Sequence, residues 1–262
     1  MARAVLLGDA DGRMIELHHW PTPNGWKVSV ALEELGLPYS VHPVNIGRGA
    51  QFSPGFLAMS PNNRIPAIRD LAPPDGGPPI SVFESGAILE YLAERTGRLC
   101  PSDVRGRVEV RQWLHWQMSG LGPMSGQAVH FRRYAPEPVA YAIDRYTREV
   151  NRLYGVLDRR LAERPFVAGE EYTIADIAIA PWIVGHARAG QTLSDFPHLE
   201  RWYRSIEARP AFARGIEVGK ELRIGPAMDD EARRTLFGQT AAGVQAAANA
   251  GAADAASTIK DG

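Results

Sequence analysis

Three short stretches of this chain carry residue types that can hold a small charged ligand. Thr22 and Asn24 stand in Pro21-Thr22-Pro23-Asn24-Gly25, a dense turn signal directly ahead of a helical pattern. A hydroxyl or amide there either caps the helix or donates to an anion on its positive end. Ile65-Pro66 opens a short apolar stretch, and a proline entering a strand has no N–H to pair. It is either an ordinary trans proline at a strand start or a cis bond. A cis bond would leave the backbone of Ile65 free to pair with an extended peptide ligand. In Phe83-Glu84-Ser85-Gly86, the N–H groups of a new helix suit a carboxylate and Glu84 suits an ammonium. Both charges together fit an amino-acid head group; the plainer role is capping by Ser85.

Other chemistry is poorly provided for. Cys100 is the one cysteine, so there is no intrachain disulfide, no CxxC pair and no cysteine-rich metal site. Apart from the adjacent His18 and His19, the seven histidines show no close metal spacing, and neighbours on a strand face opposite sides. No metal is therefore expected. Neither a GxGxxG loop, a Walker loop nor a serine elbow is present.

The elements that must position these residues can be read from periodicity. Ile15 to Trp20 reads as a strand. After the turn, Val28, Ala31, Leu32 and Leu35 mark one face of a helix that Gly36 and Pro38 end. Tyr39 to Val44 reads as a second strand, and the β-α-β order favours a parallel pair. A loop with a short helix near Phe56 follows. Strands at 65–68 and 80–83 are expected to pair antiparallel across Pro73-Pro74-Asp75-Gly76-Gly77. Ser85 then opens a helix with Ile88, Leu89 and Leu92 inward.

From Val108 onward no strand is expected, and 98–107 reads as a linker. Ile143, Tyr146, Val150, Leu153, Leu157 and Leu161 form the seam of a long amphipathic helix. Thr173-Ile174-Ala175-Asp176 has the form of a capping box ahead of an apolar helix, which implies burial inside a bundle. Leu199, Trp202, Tyr203 and Ile206 give one more helix. Residues 1–13 read as an appendage. Residues 238–262, with ten alanines and almost no large apolar side chain, read as a disordered tail dispensable for turnover.

Composition excludes several classes. The chain has 262 residues, 45% of them hydrophobic and 23% charged, with a net charge of −1. A core can form, and the balance gives no reason to expect nucleic acid or an anionic membrane as partner. The longest uncharged apolar run, Ile177 to Ala187, falls short of the ~20 residues of a spanning helix. No signal peptide is apparent, so a cytoplasmic location is expected.

Taken together the segments resemble the glutathione transferase superfamily from roughly Met14 to Gly215. Four motifs carry it: Pro21 to Gly25, Ser60-Pro61-Asn62-Asn63-Arg64-Ile65-Pro66-Ala67-Ile68, Phe83 to Ile88, and Tyr172 to Asp176. The first motif is narrower and resembles the bacterial Nu class of glutathione-dependent disulfide-bond reductases, as do Gly120 to Gln127, His130-Phe131 and Ala142 to Tyr146. The resemblance implies an α/β thioredoxin-like domain at 14–97 followed by an all-α helical bundle domain at 107–225, and a homodimer. It implies a cis Ile65–Pro66 bond pairing with the cysteinyl backbone of glutathione, with Glu84 and Ser85 at the γ-glutamyl end. Gln51 and Arg64 match positions near the glycyl end, and Arg145 matches a ligand-contacting arginine. Thr22 and Asn24 fall where other classes place a Tyr, Ser or Cys.

These expectations give a mechanism. With no cysteine near the site, glutathione itself supplies the thiol, and small thiols and disulfides are the partners. Thr22, Asn24 and the helix end stabilise its thiolate, which attacks a disulfide; a second glutathione resolves the product. Competing readings are a conventional transferase acting on electrophiles, a reductive dehalogenase or etherase, and a binding protein without turnover.

Overall fold

The computed structural model describes residues 15–222 and 229–258. The expected appendage at 1–13 lies outside them. The chain divides into two compact units. One holds the chain up to Gly25, Leu37 to Ile88, and the chain from Val218; the other holds Trp26–Gly36 and Leu89–Glu217.

The first unit is built on a four-stranded sheet. Strands β1 (Ile15–His19), β2 (Tyr39–Pro43), β3 (Ala67–Asp70) and β4 (Ile80–Phe83) lie in the order β2-β1-β3-β4. β1 runs parallel to β2 and β3 antiparallel to β4, as the sequence predicts, and β3 also runs antiparallel to β1. Helix α1 (Pro23–Leu35) is the crossover between β1 and β2, and Gly36 ends it at φ 68°, a conformation natural to glycine. Helix α2 (Pro54–Met59) starts on the Ser53 side chain, which accepts the Phe56 N–H, with Pro54 in the first turn. Helix α3 (Ser85–Thr96) follows β4 directly. The third strand starts two residues later than its apolar pattern suggests, because the proline cannot join the ladder.

The second unit is helical. Besides most of α1 and α3, it holds α4 (Val104–Trp116), α5 (Gly122–Arg133), α6 (Ala140–Leu161), α7 (Ile174–Ile183), α8 (Pro197–Glu207) and α9 (Pro210–Glu217). The expected linker is shorter than read: Asp103 accepts the Gly106 N–H and starts α4 within it. A π turn, Gln117–Leu121, joins α4 to α5. The seam of α6 buries Val150, Leu153, Leu157 and Leu161, and adds Tyr154. On α7, nine residues are buried, the apolar all-round pattern of a helix enclosed by others.

After the second unit come α10 (Asp230–Phe237) and α11 (Ala241–Thr258). The stretch from 238, expected to lack order, is thus helical over most of its length; 259–262 lie outside the described residues. Its lack of large apolar groups suggested disorder, but alanine has the best intrinsic helix propensity of all residues.

Candidate functional site

Strand register brings the sequence-selected residues of the first unit to one edge of the sheet. His18 pairs with Ala67, and Ala67 pairs with Phe83. The chain leaving β1 through Trp20 to Asn24, the chain entering β3 through Ile65 and Pro66, and the chain leaving β4 through Glu84 and Ser85 are therefore neighbours. The chain after β2 joins them, since the Val44 N–H donates to the His19 carbonyl at 2.9 Å. Ligands of open α/β sheets bind beyond such strand ends.

At the first of these positions, Thr22 Oγ1 accepts the Gly25 N–H at a long 3.5 Å. Its hydroxyl proton is left to point elsewhere, so capping the helix and donating to a ligand are compatible. Asn24 lies in the first turn of α1, where the helix end carries partial positive charge. Gly25 is required by close packing: a Cβ there would sit 2.2 Å from the Trp20 carbonyl oxygen and within 3 Å of the His19 ring. The glycine lets the helix start be drawn down onto the end of β1. His19, fully buried beneath it, reaches the Val218 carbonyl at 3.3 Å through Nε2, and burial lowers its pKa to about 4.

The Ile65–Pro66 bond is cis. The Ile65 side chain is held against Val44, Phe56 and Ala67, which fixes the backbone ahead of the proline. Glu84 has φ 66°, a left-handed conformation that costs a non-glycine residue of order 1 kcal/mol. Its carbonyl accepts the Ile88 N–H at 2.9 Å, and its carboxylate accepts from Asn62 Nδ2 at 3.2 Å. The exposed carboxylate is thus aimed by a backbone geometry that nothing in the residue type favours. Ser85 is buried at the start of α3.

Gln51, on the short helical turn Ala50–Phe52, is 1% exposed and donates to the Ile46 carbonyl at 3.1 Å. Its Oε1 has no hydrogen-bond partner among the described residues. The exposed Arg64 donates from Nη1 to Gln239 Oε1 at 3.0 Å. Arg145 belongs to the second unit, on α6, where it pairs with Glu149 at 3.8 Å. Cys100 also lies in the second unit, and burial raises its thiol pKa. Sequence reasoning did not find Asn62, His19 or Gln239. Only the first lay inside a recognised motif, and the contacts of the other two span about two hundred positions.

An open cleft of about 520 Å³ lies over the sheet face carrying Glu16, His18 and Arg69, and none of the selected residues lines it. Among the described residues no group of His, Cys, Asp and Glu side chains could hold a metal ion, and no helix is long and apolar enough to cross a membrane.

The glutathione S-transferase N-terminal domain family matches residues 22–95, and the C-terminal domain family matches residues 120–210. The disulfide-bond oxidoreductase YfcG of Escherichia coli is 49% identical over 203 residues, 78% of this chain and 94% of the relative. The chain belongs to the glutathione transferase family. It has that family's fold, a thioredoxin-like domain followed by a helical one, and it is an enzyme. Two solved structures agree. A family member from Pseudomonas fluorescens with two glutathiones bound is 45% identical, with a TM-score of 0.73 over 78% of this chain and 92% of that one. A transferase from Pseudomonas putida with one glutathione disulfide per subunit is 42% identical, with a TM-score of 0.74 over 79% and 92%.

Proposed function

We propose that this enzyme is a glutathione-dependent disulfide-bond reductase in which glutathione carries both reacting thiols. The observation that carries the reading is the composition of the sheet edge. It offers a hydroxyl, an amide and a helix start where a thiolate would sit, and no cysteine. The name of the relative YfcG, a disulfide-bond oxidoreductase, supports the same class.

Glutathione lies across the edge. Its γ-glutamyl ammonium meets Glu84, and the adjoining carboxylate meets Ser85 and the start of α3. Its cysteinyl backbone pairs with Ile65, and its glycyl carboxylate reaches Arg64, with Gln51 behind. The sulfur then falls at the start of α1. A free thiol is a few per cent thiolate at neutral pH. Each unit of pKa lowering needs about 1.4 kcal/mol of preferential stabilisation, which the Thr22 hydroxyl, the Asn24 amide and the helix dipole supply. The thiolate attacks one sulfur of a disulfide RS–SR′, forming GS–SR and releasing R′S⁻. A second glutathione thiolate attacks the glutathione sulfur of GS–SR, giving GSSG and RS⁻. The protons lost by the two glutathiones end on the two released thiols, so two thiols are oxidised and one disulfide is reduced.

The experiment is a coupled reductase assay with a small disulfide. Cys100→Ser keeps its activity, whereas Asn24→Ala and Thr22→Ala each lose about five- to thirtyfold, or roughly 1–2 kcal/mol. Asn24→Ala also shifts the pH optimum toward alkali, because the bound thiol loses a stabilising donor. Loss of activity in Cys100→Ser, with Asn24→Ala unchanged in rate and pH profile, would locate the redox centre on the protein instead.

A further inference from the structure

The chain after Val218 folds back onto the unit that carries the candidate site. Asp229 pairs with Arg48 Nη2 at 2.6 Å, and Glu231 pairs with Arg48 Nη1. Helix α10 lies against the turn Ile46–Arg48, and α11 lies against α2 and the turn that holds Gln51. Between the two helices, Gln239 Nε2 donates to the Thr235 carbonyl at 2.9 Å, which fixes the orientation of its amide. Its Oε1 then accepts from Asn63 Nδ2 at 3.1 Å and from Arg64 Nη1 at 3.0 Å. A lone oxygen held by a guanidinium and an amide N–H stands as a carboxylate oxygen would. All of these strap residues lie beyond 210, where the family match ends.

We infer that residues 229–249 are a self-inhibitory strap, with Gln239 occupying the seat of a ligand carboxylate until glutathione displaces it. The inference rests on the proposed glutathione site. The strap is weakly held. Its ion pairs are about half exposed, and solvent-screened pairs of this kind hold a segment only weakly. On α10 only Ala232 is buried, and Phe237 remains exposed. Arg64 donates to Gln239 as a cation to a neutral amide, whereas a carboxylate brings a full negative charge and can accept through two oxygens. The ligand therefore wins the seat while paying for opening. A strap closed in about 70–90% of molecules raises the apparent Kd about three- to tenfold.

Two measurements on the full chain test this. In the first, trypsin cleavage after Arg233 and Arg234 is followed by mass spectrometry, with and without saturating reduced glutathione. Cleavage several-fold faster with glutathione is the expected result; unchanged or slower cleavage overturns the strap. In the second, calorimetry compares glutathione binding by the wild type, Gln239→Ala, and Gln239→Ala combined with Arg64→Ala. Gln239→Ala is expected to bind about three- to tenfold tighter, and the double variant about tenfold weaker than Gln239→Ala. If the double variant is weakened but Gln239→Ala brings no gain, the strap alone fails. If removing Arg64 changes nothing, the reading of the site fails and the strap falls with it.

Discussion

His19 shows how one buried side chain ties the candidate site to pH. Its ring fills the space under Gly25 and reaches Val218, and burial holds its pKa at about 4 against an ordinary 6.5. The unfolded chain takes up this proton near pH 6.5, whereas the folded chain resists it until about pH 4. The neutral ring's contribution to stability is therefore complete above pH 6.5 and is lost as the pH falls through that window. Between pH 7 and pH 4.5 the loss from this residue amounts to about 2 kcal/mol. Denaturant unfolding of the wild type and His19→Gln at both pH values measures it. The variant is less stable throughout, but its decrease on acidification should be smaller by that amount. Equal decreases would mean that the ring is protonated in the folded state. Glu84 belongs to the same scale. Its charge was legible in the sequence as a partner for an ammonium, but its left-handed backbone was not, since glutamate has no preference for positive φ.

The capping box at the start of α7 is the element whose sequence signature and structure agree most fully. The Asp176 carboxylate is completely buried. It accepts from the Val167 N–H, the Thr173 N–H, the Thr173 hydroxyl and Trp202 Nε1 at 2.9–3.2 Å. Asp176→Ala leaves several buried donors without an acceptor, and each such donor costs about 1–3 kcal/mol. The expected loss is about 3–5 kcal/mol, seen as a lower denaturant midpoint with an unchanged slope; a loss under 1 kcal/mol would mean that water satisfies the site. This box was readable because its four residues are consecutive, and the sheet was readable because turn signals and helical patterns separate its short apolar stretches through Phe83. The expectations for the linker and the tail failed for local reasons. Asp103 started α4 inside a stretch that looked like linker, and alanine propensity made a helix where burial arguments predicted none. Of the candidate site, Thr22, Asn24, Ile65, Pro66, Glu84 and Ser85 stood out by residue type in short local motifs, and Gln51 and Arg64 only through the family resemblance. Gln239 on Arg64 was not legible, because no periodicity connects residues 175 positions apart.

At the scale of the whole molecule, the exposed apolar groups point to an assembly. β4 is the edge strand of its sheet, with Ile80 42% and Phe83 36% exposed, and α4 carries Val104 and Val108 at 67% and 51%. This edge strand is only four residues long and is entered through Pro78-Pro79, yet it presents two large apolar side chains. On α4 the two valines are four residues apart and so share one face of the helix. We propose that these surfaces are covered by a second copy in a two-fold dimer, in which each copy would offer the same patch to the other. Burial of such side chains is worth about 1.5–3 kcal/mol each when complete, so placing a charge on them should be felt. Sedimentation at micromolar concentration is expected to give twice the 28.7 kDa chain mass. Ile80→Glu and Val108→Glu, both on exposed positions and outside the candidate site, should shift the species toward monomer without lowering the thermal stability measured in the monomeric range. A wild-type monomer at micromolar concentration would refute the dimer. Dissociation by only one of the two substitutions would assign the contact to that surface alone. The strap can be separated from assembly in the same experiment: Gln239→Ala alters a contact within one chain, so it should leave the sedimentation profile of the wild type unchanged.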